Sequence, residues 1–275
     1  MDGGVIHRLR IAGVVGVLGL SGGAVLTLAP GPAGAVSPAP TLLPDLAVPK
    51  PHEILIERRN RRATLRFSHT TANRGDGPLE ISPDLSTTTC TEGGEDGREA
   101  YQYVFRDLDR SGAFERNADG PPEGRPVGCM IFHEPHNHYH FKDFALYELY
   151  RERTGRLVGT SDKVSFCVFD LAPLASGLPG AAAYYSFSNC DKDDGTHGIS
   201  VGWADTYGAA TKGQELDVTG MRRGRYCLVS IADPEDRLDE KAGREANNTR
   251  RVRIAMRPGR AFVKKLPTPC RTVRP

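Results

Sequence analysis

The chain has 275 residues, a formal net charge of +2 and a charged fraction of 25%. This is the composition of an ordinary globular protein, and a chain of this length can bury a sizeable core within one domain. The charges are spread along the sequence and are not gathered into a basic patch. A nucleic-acid-binding surface is therefore not expected.

The N-terminal region has the layout of a secretion signal. Arg8 and Arg10 precede the mainly apolar run 11–29, and Ala33-Gly34-Ala35 offers a small-residue cleavage site. We predict that residues 1–35 are a cleaved signal peptide, and that the mature protein is secreted and keeps no stable insertion in a membrane. An uncleaved transmembrane anchor is the alternative, because the run is about long enough to span a bilayer, although glycines and a serine interrupt it.

The cysteines all lie after this segment. An even number of cysteines in an exported protein predicts disulfide bonds, here three. None is arranged as Cys-x-x-Cys, so a zinc ribbon or a thioredoxin-type redox motif is not expected. The six cysteines are Cys90, Cys129, Cys167, Cys190, Cys227 and Cys270.

The sequence pattern of the mature chain predicts a series of short β-strands. Residues 36–42 belong to a stretch rich in proline and alanine, which predicts an extended lead-in, and we place the folded domain at residues 43–275. Runs rich in β-branched and aromatic residues then alternate with turn-forming clusters such as Gly75-Asp76-Gly77. The predicted strands begin near His52, Ala63, Tyr101, Phe144, Lys163, Gly224 and Thr249.

No long helical period is visible, so we predict a mostly β fold. The expected architecture is a single antiparallel β-sandwich-like domain with long loops and little helix. The segments Asp107 to Gly128 and Leu174 to Ser200 lack strand signals and are rich in Gly, Pro, Asp and Asn. Because functional residues concentrate on loops that a rigid scaffold positions, we expect both segments to contribute to function.

Four of the eight histidines lie in the segment HEPHNHYH, which begins at His133. Alternate residues of a β-strand point to one face, whereas on a helix the middle residue of such a set would point away. Pro135 also disfavours a helix here. We therefore predict that His136, His138 and His140 converge on one metal ion. His133 could join them only if the chain bends at Pro135.

The residue types of this cluster do not identify the metal. Three neutral imidazoles suit copper, zinc, nickel or iron. A zinc hydrolase is one interpretation, since three histidines and a water molecule form a hydrolytic zinc site. Such an enzyme also needs a carboxylate near the bound water, and Glu134 would alternate to the opposite face of the strand.

The histidine segment, H-x-x-H-N-H-Y-H, resembles the copper-binding segment of the lysyl oxidase family, H-x-x-H-Q-H-Y-H. Two further segments follow in the family's order: KVSFC from Lys163 is similar to K-A-S-F-C, and DTYGA from Asp205 is similar to D-T-Y-G-A. Weaker likeness extends from LPDL at Leu43 to Asn247-Asn248. The chain departs from the animal enzymes in its smaller number of cysteines, in Pro135 where they commonly carry a cysteine, and in Asn137 for glutamine.

The resemblance implies a copper-dependent amine oxidase with a cofactor made from its own side chains. In the family, a lysine and a tyrosine of these segments join as lysine tyrosylquinone, which implies the pair Lys163 and Tyr207 here. A quinone supplies the electrophilic carbonyl that standard side chains lack, so it can form a Schiff base with an amine. The implied reaction converts a primary amine, for example a peptidyl lysine, with dioxygen and water into an aldehyde, ammonia and hydrogen peroxide.

Two further roles are suggested by residue type or by the resemblance. A general base must take the α-proton of the substrate, and Asp205, Asp162 and His197 are candidates, none of them assigned. The family often carries calcium near the end of its domain, which implies a second metal site here. Its oxygen ligands would be Asp45, Glu245, Asn247 and Asn248.

The resemblance also implies a Cys167–Cys190 disulfide. We pair the remaining cysteines as Cys90–Cys129 and Cys227–Cys270, which is one of about 15 connectivities open to six cysteines. A non-catalytic, exported copper-binding β-domain is the main alternative function, because it would keep the histidines without forming the quinone. The pair Lys163 and Tyr207 separates these hypotheses, since neither a metal carrier nor a hydrolase needs it.

Overall fold

The computed structural model describes residues 37–91, 96–120, 122–162, 164–174, 177–183, 186–188, 190 and 194–270. The predicted signal peptide and Lys163 lie outside these residues. The chain divides into a unit of Met1–Pro38, described only at 37 and 38, and a compact unit of Ala39–Pro275. In the described part of the chain, no helix has the length and hydrophobicity that a membrane-spanning segment needs.

The compact unit is built from short and medium β-strands joined by loops. The strands are β1 (Thr41–Leu42), β2 (Leu46–Ala47), β3 (His52–Arg59), β4 (Arg62–Asn73), β5 (Leu79–Pro83), β6 (Arg98–Arg106), β7 (Glu123–His133), β8 (His138–Arg151), β9 (Arg156–Thr160), β10 (Val164–Phe166), β11 (Ala172–Pro173), β12 (His197–Ile199), β13 (Trp203–Tyr207), β14 (Glu215–Asp217), β15 (Gly224–Ala232), β16 (Thr249–Arg257) and β17 (Phe262–Lys265). Single turns of 3₁₀ helix cover Glu134–His136, Glu245–Asn248 and Pro258–Arg260.

The strands form two antiparallel sheets. The larger sheet runs in the order β12-β5-β6-β7-β8-β15-β16-β17, with β1 paired to β6 and with β9 and β10 paired to β8. The smaller sheet runs β11-β13-β4-β14, and β2 and β3 also pair with β4. This arrangement confirms the predicted fold class, a mostly β, antiparallel domain with little helix.

The core lies between β4 of the smaller sheet and β8 of the larger one. Along β4, Ala63, Leu65 and Phe67 are buried, as the alternation of apolar and polar residues in this segment predicts. The ring of Phe67 meets the ring of Tyr147 edge-on at 4.8 Å between centroids. Burial of each such aromatic side chain contributes about 2–3 kcal/mol, so this contact helps to fix the two sheets face to face.

Two of the predicted loops contain strands. In the segment from Asp107 to Gly128, β7 begins at Glu123 and pairs with β6. The first four residues of β7 are exposed, so no apolar alternation marks them as a strand, and backbone pairing alone makes them one. In the segment from Leu174 to Ser200, β12 pairs with β5. The sheet also starts before residue 43, because Thr41–Leu42 pairs with β6.

The disulfides are Cys90–Cys129, Cys167–Cys190 and Cys227–Cys270, and none of the cysteines is free. This confirms all three predicted pairs. The Cys90–Cys129 bond crosses close to Gly97, where a Cβ atom would lie 2.7 Å from Cys129 Sγ. Only glycine fits there without displacing the disulfide. The Cys167–Cys190 bond joins the segment after β10 to the loop before β12.

Candidate metal centre and active site

The β7–β8 hairpin positions the histidines. β7 ends at His133, a 3₁₀ turn follows, and β8 begins at His138, which lies directly opposite His133 in the ladder. Pro135 sits in the first turn of the 3₁₀ helix, where its missing N–H is not needed. Asn137 closes the turn with a φ of 56°, a conformation that Asn tolerates better than most residues. The prediction that His136 shares a strand with the other ligands is therefore wrong.

The turn brings four imidazole rings together. The His133 ring stacks on the His140 ring at 4.7 Å between centroids, and the His136 ring lies 4.3 Å from that of His133. Nε2 of His138 lies 3.1 Å from Nε2 of His140. His133, His136 and His140 each place one ring nitrogen within 4.8 Å of the other two. The bend at Pro135 is present, so His133 joins the three histidines that the spacing singled out.

Burial keeps the inner rings neutral. It is the largest cause of the lowered pKa of His140, about 4, and the neighbouring imidazoles add to the effect. Burial also lowers the pKa of His133, whose Nδ1 is buried and has no hydrogen-bond partner among the described residues. A neutral imidazole offers a lone pair to a metal ion. The chemistry of this donor set, imidazole nitrogens gathered at one point, therefore fits copper or zinc.

A cavity of ≈ 1010 Å³ opens beside the cluster. Its walls include all four histidines together with Phe166 and Tyr207. Asp162 and Val164, which flank Lys163 in the sequence, line the same cavity. The histidine segment and the two segments that resemble the family's cofactor segments thus meet at one cavity, although Lys163 itself is outside the described residues.

Tyr207 is held at the end of β13. Its ring stacks on Phe166 at 3.7 Å between centroids, and its hydroxyl donates a hydrogen bond to the backbone oxygen of Cys167. A ring nitrogen of His138 lies within 4.8 Å of the sulfurs of Cys167 and Cys190. These sulfurs are oxidised and cannot serve as thiolate ligands. The Cys167–Cys190 bond therefore lies close to His138, and Tyr207 contacts the backbone of the same Cys167.

Burial raises the pKa of Tyr207 well above its ordinary value, and the nearby carboxyl of Asp205 and hydroxyl of Tyr147 raise it further. The ring is therefore a neutral phenol at neutral pH in the metal-free protein. The stacked Phe166 and the bond to Cys167 hold this phenol in one orientation.

Sequence comparison agrees with this arrangement. A sequence model of the family described as lysyl oxidase matches residues 114–265, more than half of the chain. The chain belongs to the lysyl oxidase family. Human protein-lysine 6-oxidase is 33% identical over 111 residues, which cover 40% of this chain and 24% of the human protein. Human lysyl oxidase homolog 1 is 33% identical over 141 residues, which cover 50% of this chain and 23% of that protein.

The pig protein-lysine 6-oxidase is 32% identical over 111 residues, or 40% of this chain and 41% of the pig protein. The chain thus spans about a quarter of the length of the two human relatives. The lysyl oxidase match of residues 114–265 includes the histidine segment, Lys163 and Tyr207. It confirms the family that these motifs indicated.

The three candidate bases have different surroundings. Asp205 shares a face of β13 with Tyr207, is 3% exposed, and has no hydrogen bond of ordinary geometry to either oxygen within the described chain. Burial raises its pKa well above the usual value, and the N–H groups of Phe169 and Thr206 only partly oppose this. Asp162 lines the cavity. His197 is fully buried on β12, in the ladder with β5.

The residues of the predicted calcium site are only partly brought together. Asn247 Nδ2 donates a 2.7 Å hydrogen bond to Asp45 Oδ1, and Asn248 Nδ2 donates to Glu240 Oε1. The amide oxygens of Asn247 and Asn248 are buried and have no partner among the described residues. Glu245 is exposed and accepts a bond from Gly243 N. Glu240, which was not predicted, contacts this group through bonds accepted from Leu46 N and Asn248 Nδ2, and burial raises its pKa to about 7.

Sequence reasoning missed Lys212 as well as His133 and Glu240. Lys212 lines the cavity, and its charge contributes to the lowered pKa of His133. Pro135 was the available signal for His133, because it marks a chain reversal as well as the end of a helix. No motif marks Lys212 or Glu240, since both reach their positions through contacts between distant segments.

His69 is a buried histidine behind the site. It lies opposite Tyr207 in the β4–β13 ladder and is 2% exposed. Its Nδ1 is 2.7 Å from Ser230 Oγ, and its Nε2 is 2.9 Å from Thr71 Oγ1. Burial lowers its pKa to about 3, whereas in the unfolded chain the pKa is close to 6.5.

We expect His69→Gln to remove part of the acid sensitivity of the fold. Between pH 6.5 and 3 the unfolded state binds one more proton at His69, so the free energy of unfolding falls as the pH falls. From pH 7 to 5 this loss is about 2 kcal/mol for one such histidine, and the variant should lack it. Urea unfolding of metal-free protein at both pH values measures the difference.

A matched control is His52→Gln, because His52 lies on β3 and is only half-buried. This control should show the same fall in the free energy of unfolding as the wild type. If wild type and His69→Gln lose equal stability between pH 7 and 5, the burial of a neutral His69 is not what sensitises the fold to acid.

Proposed function

We propose that this protein is an exported, copper-dependent oxidase of primary amines whose quinone cofactor forms from Lys163 and Tyr207. The observation that supports it best is the meeting of four imidazoles and a held tyrosine at one cavity, in a chain of the lysyl oxidase family. The net reaction takes a primary amine, dioxygen and water to an aldehyde, ammonia and hydrogen peroxide. Export is favoured by the three disulfides, which form in oxidising compartments.

The proposed copper ligands are His136, His138 and His140, the histidines that match the family's copper segment. His133 stacks on His140 and is close enough to replace or support one of them. Copper held there would supply the redox chemistry needed to convert Tyr207 to a quinone with dioxygen, and such a quinone would offer an electrophilic carbonyl to an amine. The three proposed ligands are neutral imidazoles, a ligand type that copper binds well.

The chain's own residues position the reacting groups. Phe166 fixes the plane of the Tyr207 ring, and the backbone oxygen of Cys167 fixes its hydroxyl. Asp205 is our choice as the proton acceptor, because it lies on the tyrosine's face of β13 and its carboxylate is poorly solvated. Burial raises the pKa of this carboxyl well above its usual value, so once it has accepted a proton it holds that proton more firmly than an exposed carboxyl does.

The cavity favours cationic substrates. Asp162, Glu215 and Asp217 line it, against one lysine among the described lining residues, Lys212. Glu215 is also paired with Arg66. Acidic walls raise the local concentration of an alkylammonium ion before it loses its proton and reacts. A cavity of ≈ 1010 Å³ has room for a lysine side chain together with flanking peptide, so peptidyl lysine is the substrate class we propose.

The test is aerobic turnover of a simple primary amine by the copper-loaded protein. We expect hydrogen peroxide release that stops when a hydrazine captures the quinone carbonyl, and no release from metal-free or zinc-loaded protein. A copper-loaded protein that releases no peroxide from alkylamines or lysyl peptides would instead favour the non-catalytic copper-binding domain. Ester or amide hydrolysis by the zinc-loaded protein would favour the hydrolase.

We also propose a calcium ion held by Asp45, Glu240, Asn247 and Asn248. Two carboxylates and two amide oxygens form a hard donor set of the kind that calcium takes. The two buried amide oxygens without partners in the described chain fit a missing cation. Bound there, calcium would tie the segment at β2 to the 3₁₀ turn before β16, which pack together already.

A further inference from the structure

The loop between β6 and β7 gathers three aspartates. Asp107, Asp109 and Asp119 each place one carboxylate oxygen within 4.8 Å of the other two. Asp107 and Asp119 are 3% and 7% exposed, so two of the three carboxylates are buried. We propose that this loop binds a calcium ion, at a site distinct from the histidine cluster and from the group around Asp45.

An unsatisfied oxygen in this cluster is independent evidence for a cation. Asp119 Oδ2 accepts a 2.7 Å hydrogen bond from Glu115 N, but Oδ1 of the same side chain is buried and has no partner among the described residues. An unpaired, buried carboxylate oxygen is costly, and close carboxylates also repel one another. A divalent cation between the three groups removes both penalties.

Two arginines close to the loop in sequence form ion pairs elsewhere. Arg106 pairs with Glu123, and Arg116 pairs with Glu80 while its guanidinium lies 5.2 Å from the Phe105 ring centre. These charges are therefore directed to partners outside the aspartate cluster.

The spacing of the loop favours calcium. The segment DLDRSGAFERNAD begins at Asp107 and follows the first half of a calcium loop of the EF-hand type, with ligands at positions 1, 3 and 5 and glycine at position 6. Here these are Asp107, Asp109, Ser111 and Gly112, and Gly112 has a φ of 72°, as the sharp turn requires. Ala118 stands where such loops carry a bidentate glutamate, and Asp119 follows directly.

The carboxylate and hydroxyl oxygens of this loop are hard donors, which select calcium or magnesium over transition metals. Calcium accepts irregular sets of six to eight oxygens, including backbone carbonyls and water, whereas magnesium demands a near-ideal octahedron. Asp107 already accepts N–H bonds from Ser111 and Gly112, so the loop is wrapped around this carboxylate. Such a wrapped, irregular loop fits calcium better than magnesium.

The ion would fix the strand that carries the histidine hairpin. β7 starts four residues after Asp119 and ends at His133. On its other side, the loop packs closely against the segment at Gly180, where a Cβ atom would lie 2.6 Å from Phe114 N. Calcium therefore acts here as a structural ion in the loop that joins β6 to β7.

The experiment is calorimetric titration of calcium chloride into the full, chelator-treated protein. The double variant Asp109→Asn/Asp119→Asn should bind one calcium ion fewer per chain than the wild type, whatever number the wild type binds. Glu123→Gln, an exposed change on β7, removes charge nearby and should leave the number unchanged. Glu240→Gln addresses the other proposed calcium site, so loss of that site and loss of this one are distinguishable.

Proteolysis locates the ion. Trypsin should cut after the exposed Arg110, and calcium at ten times its dissociation constant should slow this cut about tenfold in the wild type and not in the double variant. The variant's thermal midpoint without calcium reports whether it still folds. Equal calcium stoichiometry in the wild type and the folded double variant would overturn the proposal. It would also be overturned if this loop bound magnesium more tightly than calcium in separate titrations.

Discussion

Lys163→Arg is expected to retain copper and to lose peroxide production from primary amines. Arginine keeps the positive charge of lysine, but its guanidinium stays protonated and provides no amine that can add to an oxidised tyrosine ring. The variant should therefore never complete the cofactor, and turnover should fall to the level of the metal-free protein. Copper content, by elemental analysis, and peroxide release, by a coupled assay, are measured on the same sample.

The matched control is Lys212→Arg. Lys212 lines the same cavity and its charge acts on His133, so its replacement tests whether losing any lysine amine from the cavity stops turnover. This variant should keep most of its turnover. In the wild type, tryptic mapping after aerobic copper loading should show the Lys163 and Tyr207 peptides joined by a bond that survives reduction, which excludes a disulfide.

Two results would contradict the quinone proposal. One is a Lys163→Arg protein with full activity, and the other is a turning-over wild type whose Lys163 and Tyr207 peptides always migrate separately. If Lys212→Arg loses activity and the wild type shows its Lys212 peptide linked to the Tyr207 peptide, the amine of the cofactor comes from Lys212 instead. A protein that binds copper and never turns over an amine would support the non-catalytic copper-binding domain.

His138→Ala is expected to reduce bound copper from about one ion per chain to a small fraction of that. The Nε2 atoms of His138 and His140 lie 3.1 Å apart, so both can face one ion after a small adjustment, and removal of one leaves the ion with too few imidazoles. Elemental analysis after dialysis against a weak chelator measures the loss. Full copper occupancy in His138→Ala would show that the triad assignment is wrong.

His133→Ala distinguishes the two geometrically allowed ligand sets. If the ligands are His136, His138 and His140, this variant keeps stoichiometric copper, and that is our expectation. If His133 completes the site with His136 and His140, which also place ring nitrogens close together, copper is lost in His133→Ala and retained in His138→Ala. His52→Ala, on β3 and outside the cluster, controls for nonspecific binding to histidine.

Local sequence patterns were sufficient for much of the fold. Strands such as β4 and β8 bury alternate apolar side chains, so their period is visible in the sequence. The start of β7 is different, because its exposed residues become a strand only by pairing with β6. Backbone pairing between segments leaves no local signature in polar residues, and this is why the segment from Asp107 to Gly128 was expected to be loop throughout.

Some features of the candidate site are likewise visible in the sequence, and others depend on the tertiary structure. The sequence by itself determined the histidine spacing, the family and the even number of cysteines, because each is a property of short segments or of composition. Only the tertiary structure decided that the chain reverses at Pro135 and brings in His133, and that Glu240 rather than Glu245 joins the group around Asp45. The physical reason is sequence separation: Glu240 bonds to Leu46 N across 194 residues, and contacts at that distance depend on packing that no local pattern encodes.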